Sequence, residues 1–518
     1  MHCFSLRRAL LFCAATALLA EPPSANRLPK PVDEAIQRIQ PNGLKGHVSF
    51  LASDLLEGRA TPSKGLDIAA EYIASRFRSA GLDPVPGADS YFQWAHWKQS
   101  SIPMDKVAAS FRNGEKSLEI DGSRFSIQTA LGVEVKDARV FKATHDSLDD
   151  LKKLPDGKLD GWVVFTVAQS MSDLRGLSSK ERGERTGRSV ALRDQLLRLK
   201  AAAVVGIRGG EKGSGSTVQL IDPKSQLRRG FTPYFPLSIH SDELKSAFDA
   251  MPLGETLAKI SLRIPAAVES PAELRNVVGI LPGSDPVLKD TYILVTAHYD
   301  HIGTTAPEKG DGIYNGANDD ASGTASVIEI ATAFASQETR PKRTMVFMAV
   351  FGEERGLLGS SFYGRNPIFP LAKTVADINL EHLGRTDDNE GERKSKVSVT
   401  GFDYTNIPDT FVAAGQVEGV GFEKHEKYSD SFYPRSDNQA LANAGVPAHT
   451  FCAAFEFPDY HGLGDHWEKL DYVNMAKLNR AVAAGLWMLA ENPEAPKWNE
   501  ANEKTAKYRK ARLEGNKQ

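Results

Sequence analysis

Three short apolar runs, 292–297, 344–351 and 375–380, each break off into a polar cluster, and this pattern constrains the fold more than any other feature of the chain. Near-continuous apolar runs of this length are expected of strands buried on both faces. After the first of them, Val327, Ile328, Ile330, Ala331 and Phe334 recur at helical spacing. Strands alternating with helices predict an α/β fold with a mixed central sheet sandwiched by helices. The first run ends at His298 and Asp300, the second at Glu353 and Glu354, and the third at Glu381 and His382. Open α/β sheets place their ligands beyond the carboxyl ends of the strands, so these side chains are predicted to share one rim. NGANDDASG at 315–323 and PDYHGLGDHW at 458–467 can join them there.

The rest of the chain differs in texture. Residues 67–81 carry Ile68, Ala69, Tyr72, Ile73, Phe77 and Ala80 at helical spacing, and Gly81 stands at the expected C-cap. Between about 100 and 270 the runs 162–167, 202–207 and 234–239 read as short strands, with a glycine-rich loop at 212–216. No fixed-period repeat is present, which argues against solenoids and propellers. A formal charge of -3 gives no reason to expect a nucleic-acid partner. At the start, Arg7 and Arg8 precede an uncharged stretch from Ala9 to Ala20 that is too short to span a bilayer. It reads as a signal peptide cleaved near Ala20 or Ala25, so the chain is expected to be exported, periplasmic or secreted, with no membrane span once the signal is removed. Cys3 and Cys13 fall inside that signal and leave only Cys452, which excludes an internal disulfide and a cysteine metal cluster.

The residue types at the rim suit one chemistry in particular. A hydrolytic two-metal site needs imidazole and carboxylate ligands, a carboxylate able to bridge, and open positions for water. It also needs a carboxylate off the metals to accept the proton of that water. Glu353 and Glu354 suit this division, because neighbouring side chains at a strand end diverge. Taken singly, each motif has a structural role as its simpler reading: HxD as a packed histidine, Glu-Glu as solvated surface, Asp-Asp as a turn or a helix N-cap. Their occurrence together, in order, at strand ends and loops, favours the functional one.

HYD (298–300), NGANDDASG (315–323), FGEERGLLGS (351–360), INLEHLG (378–384) and DYHGLGDHWEKLD (459–471) together resemble the zinc aminopeptidase family that also contains glutamate carboxypeptidase and the transferrin receptor ectodomain. SDLLEGRATPSKG (53–65) belongs to the same likeness, and RDQLLRLKAAAVVGIRG (193–209) resembles the protease-associated module that many members carry as an insertion. The resemblance implies two zinc ions, with cobalt or manganese as substitutes. His298 and Glu381 would hold one and Glu354 and His461 the other, with Asp319 bridging. It further implies Glu353 as general base, Asp300 orienting His298, Tyr460 stabilising the oxyanion, and a cis Asp319–Asp320 peptide. Domain limits follow as 1–20 signal, 27–100 N-terminal part of the peptidase domain, 101–272 inserted β-rich protease-associated-like domain, 273–492 catalytic domain and 493–518 polar tail.

Two positions depart from the family pattern. Glu381 stands where aspartate is usual, with Asp377 as the fallback ligand, and His466 replaces an acidic or polar residue and is expected to face solvent. His301 and His382 are expected to pack or to support ligands, and Arg435, Ser436 and Asp437 to shape the pocket. GSSFYG at 359–364 lacks the spacing of a serine elbow. The function expected is an exopeptidase acting on peptide N-termini, with Glu353 activating the water. The alternatives are a dipeptidase or carboxypeptidase of the same fold, with Arg435 gripping a carboxylate, and a non-catalytic receptor-like binding protein. The complete ligand set favours an enzyme over the last of these.

Overall fold

A computed structural model describes residues 28–128, 132–167, 179–223, 237–305 and 310–515. The signal-peptide reading of 1–20, with Cys3 and Cys13, lies outside these residues, as do 234–236 of one expected strand.

The three apolar runs form the strands Tyr292–His298, Thr344–Val350 and Thr374–Glu381. Tyr292–His298 lies between the other two, parallel to both, and Ala448–Cys452 extends the parallel set beyond Thr374–Glu381. Antiparallel strands Val268–Leu281 and Lys396–Val399 flank this block, so the sheet is mixed, as expected. Its nine strands run in the order 421–423, 396–399, 448–452, 374–381, 292–298, 344–350, 268–281, 92–101, 219–221.

Side chains alternate across a strand, and the alternation divides the apolar residues between two layers. Ile293, Val295, Ala297, Met345, Phe347 and Ala349 join one core with the helices Pro41–Leu51, Lys64–Ala80, Ser322–Ala335 and Tyr472–Glu491. Leu294, Val346, Met348 and Val350 face a second core with Tyr363, Leu441, Ala442 and Tyr508 from helices on the other side. The expected leading helix is Lys64–Ala80: Ser63 Oγ caps it by accepting from the Leu66 N–H at 3.0 Å, and Gly81 ends it at φ 77°.

A second nine-stranded sheet comes from residues between 108 and 264 and has its own core around Phe111, Phe125, Phe165, Val205 and Ile260. The antiparallel pair Phe92–Ser101 and Val268–Leu281 leads from the main sheet into it. The helix Ser179–Arg198 followed by the strand Ala203–Arg208 matches the helix, turn and strand read at 193–209. One strand of this segment, Gln219–Ile221, returns to pair antiparallel with Phe92–Ser101 at the edge of the main sheet. The tail read as polar at 493–518 forms the helix Ala506–Gly515, whose Tyr508 is buried and stacks on Trp498.

Candidate metal centre

His298 is the last residue of its strand, Glu381 the last of the neighbouring one, and Glu353 and Glu354 follow Thr344–Val350. The rim predicted from strand ends is therefore present. His298 Nε2 stands 3.3 Å from Asp319 Oδ1 and 4.0 Å from Glu381 Oε1. His461 Nε2 lies 3.1 Å from Asp319 Oδ2 and 3.3 Å from Glu354 Oε2. Asp319 thus faces both sides, one oxygen toward each group.

Asp319 is held by its own loop and by a residue the sequence reading passed over. The Asp319–Asp320 peptide is cis, as the resemblance implied. Both oxygens of buried Asp465 accept from the Asn318 N–H at 3.0 Å, and its Oδ2 also accepts from the Asp319 N–H at 3.1 Å. Gly316, at φ 60°, brings the chain so close that a Cβ there would lie 2.4 Å from the Asp319 carbonyl and from the His301 ring. Fully buried Arg59 donates to the carbonyls of Tyr299, Asn315, Gly316 and Leu51, tying the strand end to the Asp319 loop.

Asp300 reaches His298 only through its backbone, with the carbonyl 3.2 Å from Nδ1 and the nearer carboxylate oxygen 3.7 Å away. The carboxylate itself accepts from Thr61 Oγ1 at 3.0 Å and from the Glu353 N–H at 3.1 Å. Asp377, the fallback for Glu381, is buried inside the sheet, accepts from Thr296 Oγ1 at 2.9 Å and belongs to neither donor group. His382 turns Nδ1 to the Ala454 carbonyl at 3.2 Å and leaves Nε2 3.4 Å from Asp319 Oδ1. His466, expected to face solvent, is half-buried and lies 3.6 Å from Asp311.

His301, expected to pack or to support a ligand, stands closer than that. Its Nδ1 is 2.8 Å from Glu354 Oε1, and with Asp319 and Glu354 it forms one of two donor groups; His298, Asp319 and Glu381 form the other. The imidazole is fully buried; its Nδ1 faces the Glu354 carboxylate and its Nε2 has no hydrogen-bond partner. The only signal for it in the sequence was its place three residues after His298.

Whether these residues suit a metal is answered by their unmatched atoms. His298 Nε2, Asp319 Oδ2 and Glu354 Oε1 are also buried without a hydrogen-bond partner. Such atoms are costly in a protein interior unless something pairs them. Imidazole nitrogens and carboxylate oxygens converging within 4.8 Å fit a divalent cation in each group. The electrostatics agree. Against the effect of burial, His382, His298 and His301 hold the Asp319 carboxyl well below the usual range. Against burial and the Asp319 charge, His301 and His461 hold Glu354 down to about 2. Burial pushes the Glu353 carboxyl well up, and Glu381 and Glu354 add to it.

The centre opens into a cavity of about 440 Å³. Asp319, Glu353, Glu354, Glu381, Tyr460 and His461 line its metal side, and Phe432, Phe455, Thr450 and Arg435 line the remainder. Ser436, expected to shape the pocket, lines it as a buried residue whose Oγ accepts from Asn379 at 2.8 Å, whereas Asp437 is buried behind it and accepts from Ser360.

Residues 276–486 match peptidase family M28. The chain carries an M28 peptidase domain. A probable zinc metalloprotease of Pyricularia oryzae is 35% identical over 269 residues, covering 44% of this chain and 52% of the relative. One from Pyrenophora teres f. teres is 29% identical over 241 residues, covering 44% and 50%. The chain thus spans about half the length of these curated relatives. Among solved structures, an aminopeptidase from Aneurinibacillus sp. strain AM-1 superposes with a TM-score of 0.55 at 17% identity, covering 90% of this chain and 97% of that one. A zinc aminopeptidase from Bacillus subtilis gives 0.53 at 19%, covering 87% and 95%. These confirm the mixed α/β fold of the M28 domain. No described helix is long and apolar enough to cross a membrane.

Proposed function

We propose that this M28 domain is a two-zinc aminopeptidase that removes N-terminal residues from peptides, with His298 and Glu381 on one ion, Glu354 and His461 on the other, and Asp319 between them. The reading is supported by the donor groups His298, Asp319, Glu381 and His301, Asp319, Glu354, which share Asp319 at one cavity, and by His461, which belongs to neither group but has its Nε2 3.1 Å from Asp319 and 3.3 Å from Glu354. His301 is a further donor on the Glu354 side. Zinc is favoured by the mix of imidazole and carboxylate, and by the similarity to probable zinc metalloproteases; cobalt or manganese would substitute.

Zinc held by these residues would polarise the scissile carbonyl and draw the pKa of the attacking water down to about 7. Glu353 belongs to neither donor group yet lines the same cavity, and its backbone is fixed by Asp300. It is the base that takes the proton from water and returns it to the leaving amine. Tyr460, whose ring packs against His382 and His461, donates from its phenol to the negative charge developing on the carbonyl oxygen. The acidic wall formed with Glu381 receives the substrate ammonium. The segment 101–272 serves as a protease-associated-like insertion beside this site, and the chain acts after export.

Hydrolysis of leucine 4-nitroanilide and of its N-acetylated form, each with and without a chelator, tests the reading. Chelator-sensitive cleavage of the free amine alone is expected, and cleavage of the blocked substrate alone would overturn it.

A further inference from the structure

Among the described residues lining the cavity, Arg435 is the only lysine or arginine. It lies on the exposed rim, and among the described residues it has no ion-pair partner. Its guanidinium stacks on the Phe432 ring, 4.0 Å from the centroid. That ring is fixed in turn by Phe455 at 4.9 Å and Tyr428 at 5.0 Å. The backbone is held as well: Arg435 N–H donates to the Phe432 carbonyl at 2.9 Å, and the next residue, Ser436, is anchored by Asn379. A guanidinium held by its face keeps its N–H edge free, and that edge matches the two oxygens of a carboxylate.

The cavity therefore joins two opposite charges. Carboxylates at the metal side suit a substrate ammonium, and a preset, unpaired guanidinium suits an anion a short distance away. Small uncharged side chains would not require such a group, and a mobile surface arginine would not be stacked on a ring packed into the wall. We propose that Arg435 is a specificity residue that selects substrates bearing a carboxylate near the scissile bond. This rests on the aminopeptidase reading. The carboxylate has two sources, the free C-terminus of a dipeptide or the side chain of an acidic first residue, and Arg435 binds either by the same paired hydrogen bonds.

The test compares kcat/KM for leucylglycine with leucylglycinamide, and for glutamyl with glutaminyl 4-nitroanilide, in the wild type, Arg435→Gln and Arg435→Lys. The expected result is a preference for the carboxylate in at least one pair. That preference falls roughly tenfold or more in Arg435→Gln, mainly through KM, and is partly kept by Arg435→Lys. The pair that responds identifies the source. Unchanged ratios in both pairs, with the variants melting as the wild type does, would overturn the proposal. Failure of the wild type to cleave any of the four would count against the aminopeptidase reading instead. In that case calorimetric affinities of leucylglycine and leucylglycinamide for wild type and Arg435→Gln still decide the role of Arg435.

Discussion

The backbone N–H of Glu353 donates to Asp300 Oδ1 at 3.1 Å, while Asp300 also offers its carbonyl to His298 Nδ1. One residue therefore sets the position of both a proposed ligand and the proposed base. That coupling explains why a base on a loop can be held beside the metal groups without belonging to them. It also moves the role of Asp300 away from a carboxylate gripping an imidazole, toward a bracket across two strand ends.

Glu353→Gln removes the proton acceptor and keeps the shape and the Asp300 bond. Turnover is expected to fall about 10²-fold or more. Zinc content by atomic absorption should stay at the wild-type value, whereas a loss of zinc together with activity would make Glu353 a ligand.

His301→Ala tests the donor that the sequence reading set aside. If its ring holds a metal beside Glu354, zinc affinity on that side should drop steeply, while the His298 side keeps its ion. A ring that only supports a ligand predicts a milder loss, about 10–100-fold in affinity or activity. Competition with a chromophoric chelator distinguishes the two.

Arg59→Met would leave the carbonyls of Tyr299, Asn315 and Gly316 without their shared donor in a fully buried position. Burial already draws the Arg59 pKa down to about 10, while Asp300, Asp465 and Asp319 support its charge. Loss of stability by about 3 kcal/mol or more is expected from urea denaturation. A change below about 1 kcal/mol would mean that the loop is held elsewhere.

His449 gives a pH dependence away from the metal groups. It is fully buried between the Thr400 carbonyl and Thr405 Oγ1, and burial lowers its pKa from 6.5 to about 4. The folded chain keeps it neutral while the unfolded chain takes up a proton below about pH 6.5. Stability is therefore unaffected above that pH, falls as pH drops toward 4, and levels off below it. The gap of about 2.5 pH units corresponds to roughly 3 kcal/mol. Denaturation of chelator-treated protein at pH 7 and pH 4.5 should show a smaller pH loss in His449→Gln than in the wild type.

The catalytic half of the fold was legible because buried parallel strands must be apolar throughout and must end abruptly. The runs 292–297, 344–351 and 375–380 agree with their strands to within a residue at each end. The rim followed from strand polarity, and Glu381 proved to be the strand-end carboxylate while Asp377 faces the sheet interior. Three residues were not legible in this way. Arg59 and Asp465 act by hydrogen-bonding backbone groups far away in sequence, which no local spacing reveals. His301 follows Asp300 in a loop without periodicity, so only the folded chain shows that it turns toward Glu354. The pairing of Gln219–Ile221 with the main sheet was hidden for the same reason, since a three-residue strand leaves no pattern.

On the proposed reading, the donor groups sharing Asp319 hold two zinc ions, and both ions are needed for hydrolysis. Chelator-stripped protein titrated with zinc, with leucine 4-nitroanilide turnover followed at each addition, tests it most directly. Full activity is predicted at two zinc ions per chain, with Asp319→Ala recovering none. Full activity at one ion per chain, or undiminished activity in the stripped protein, would contradict it.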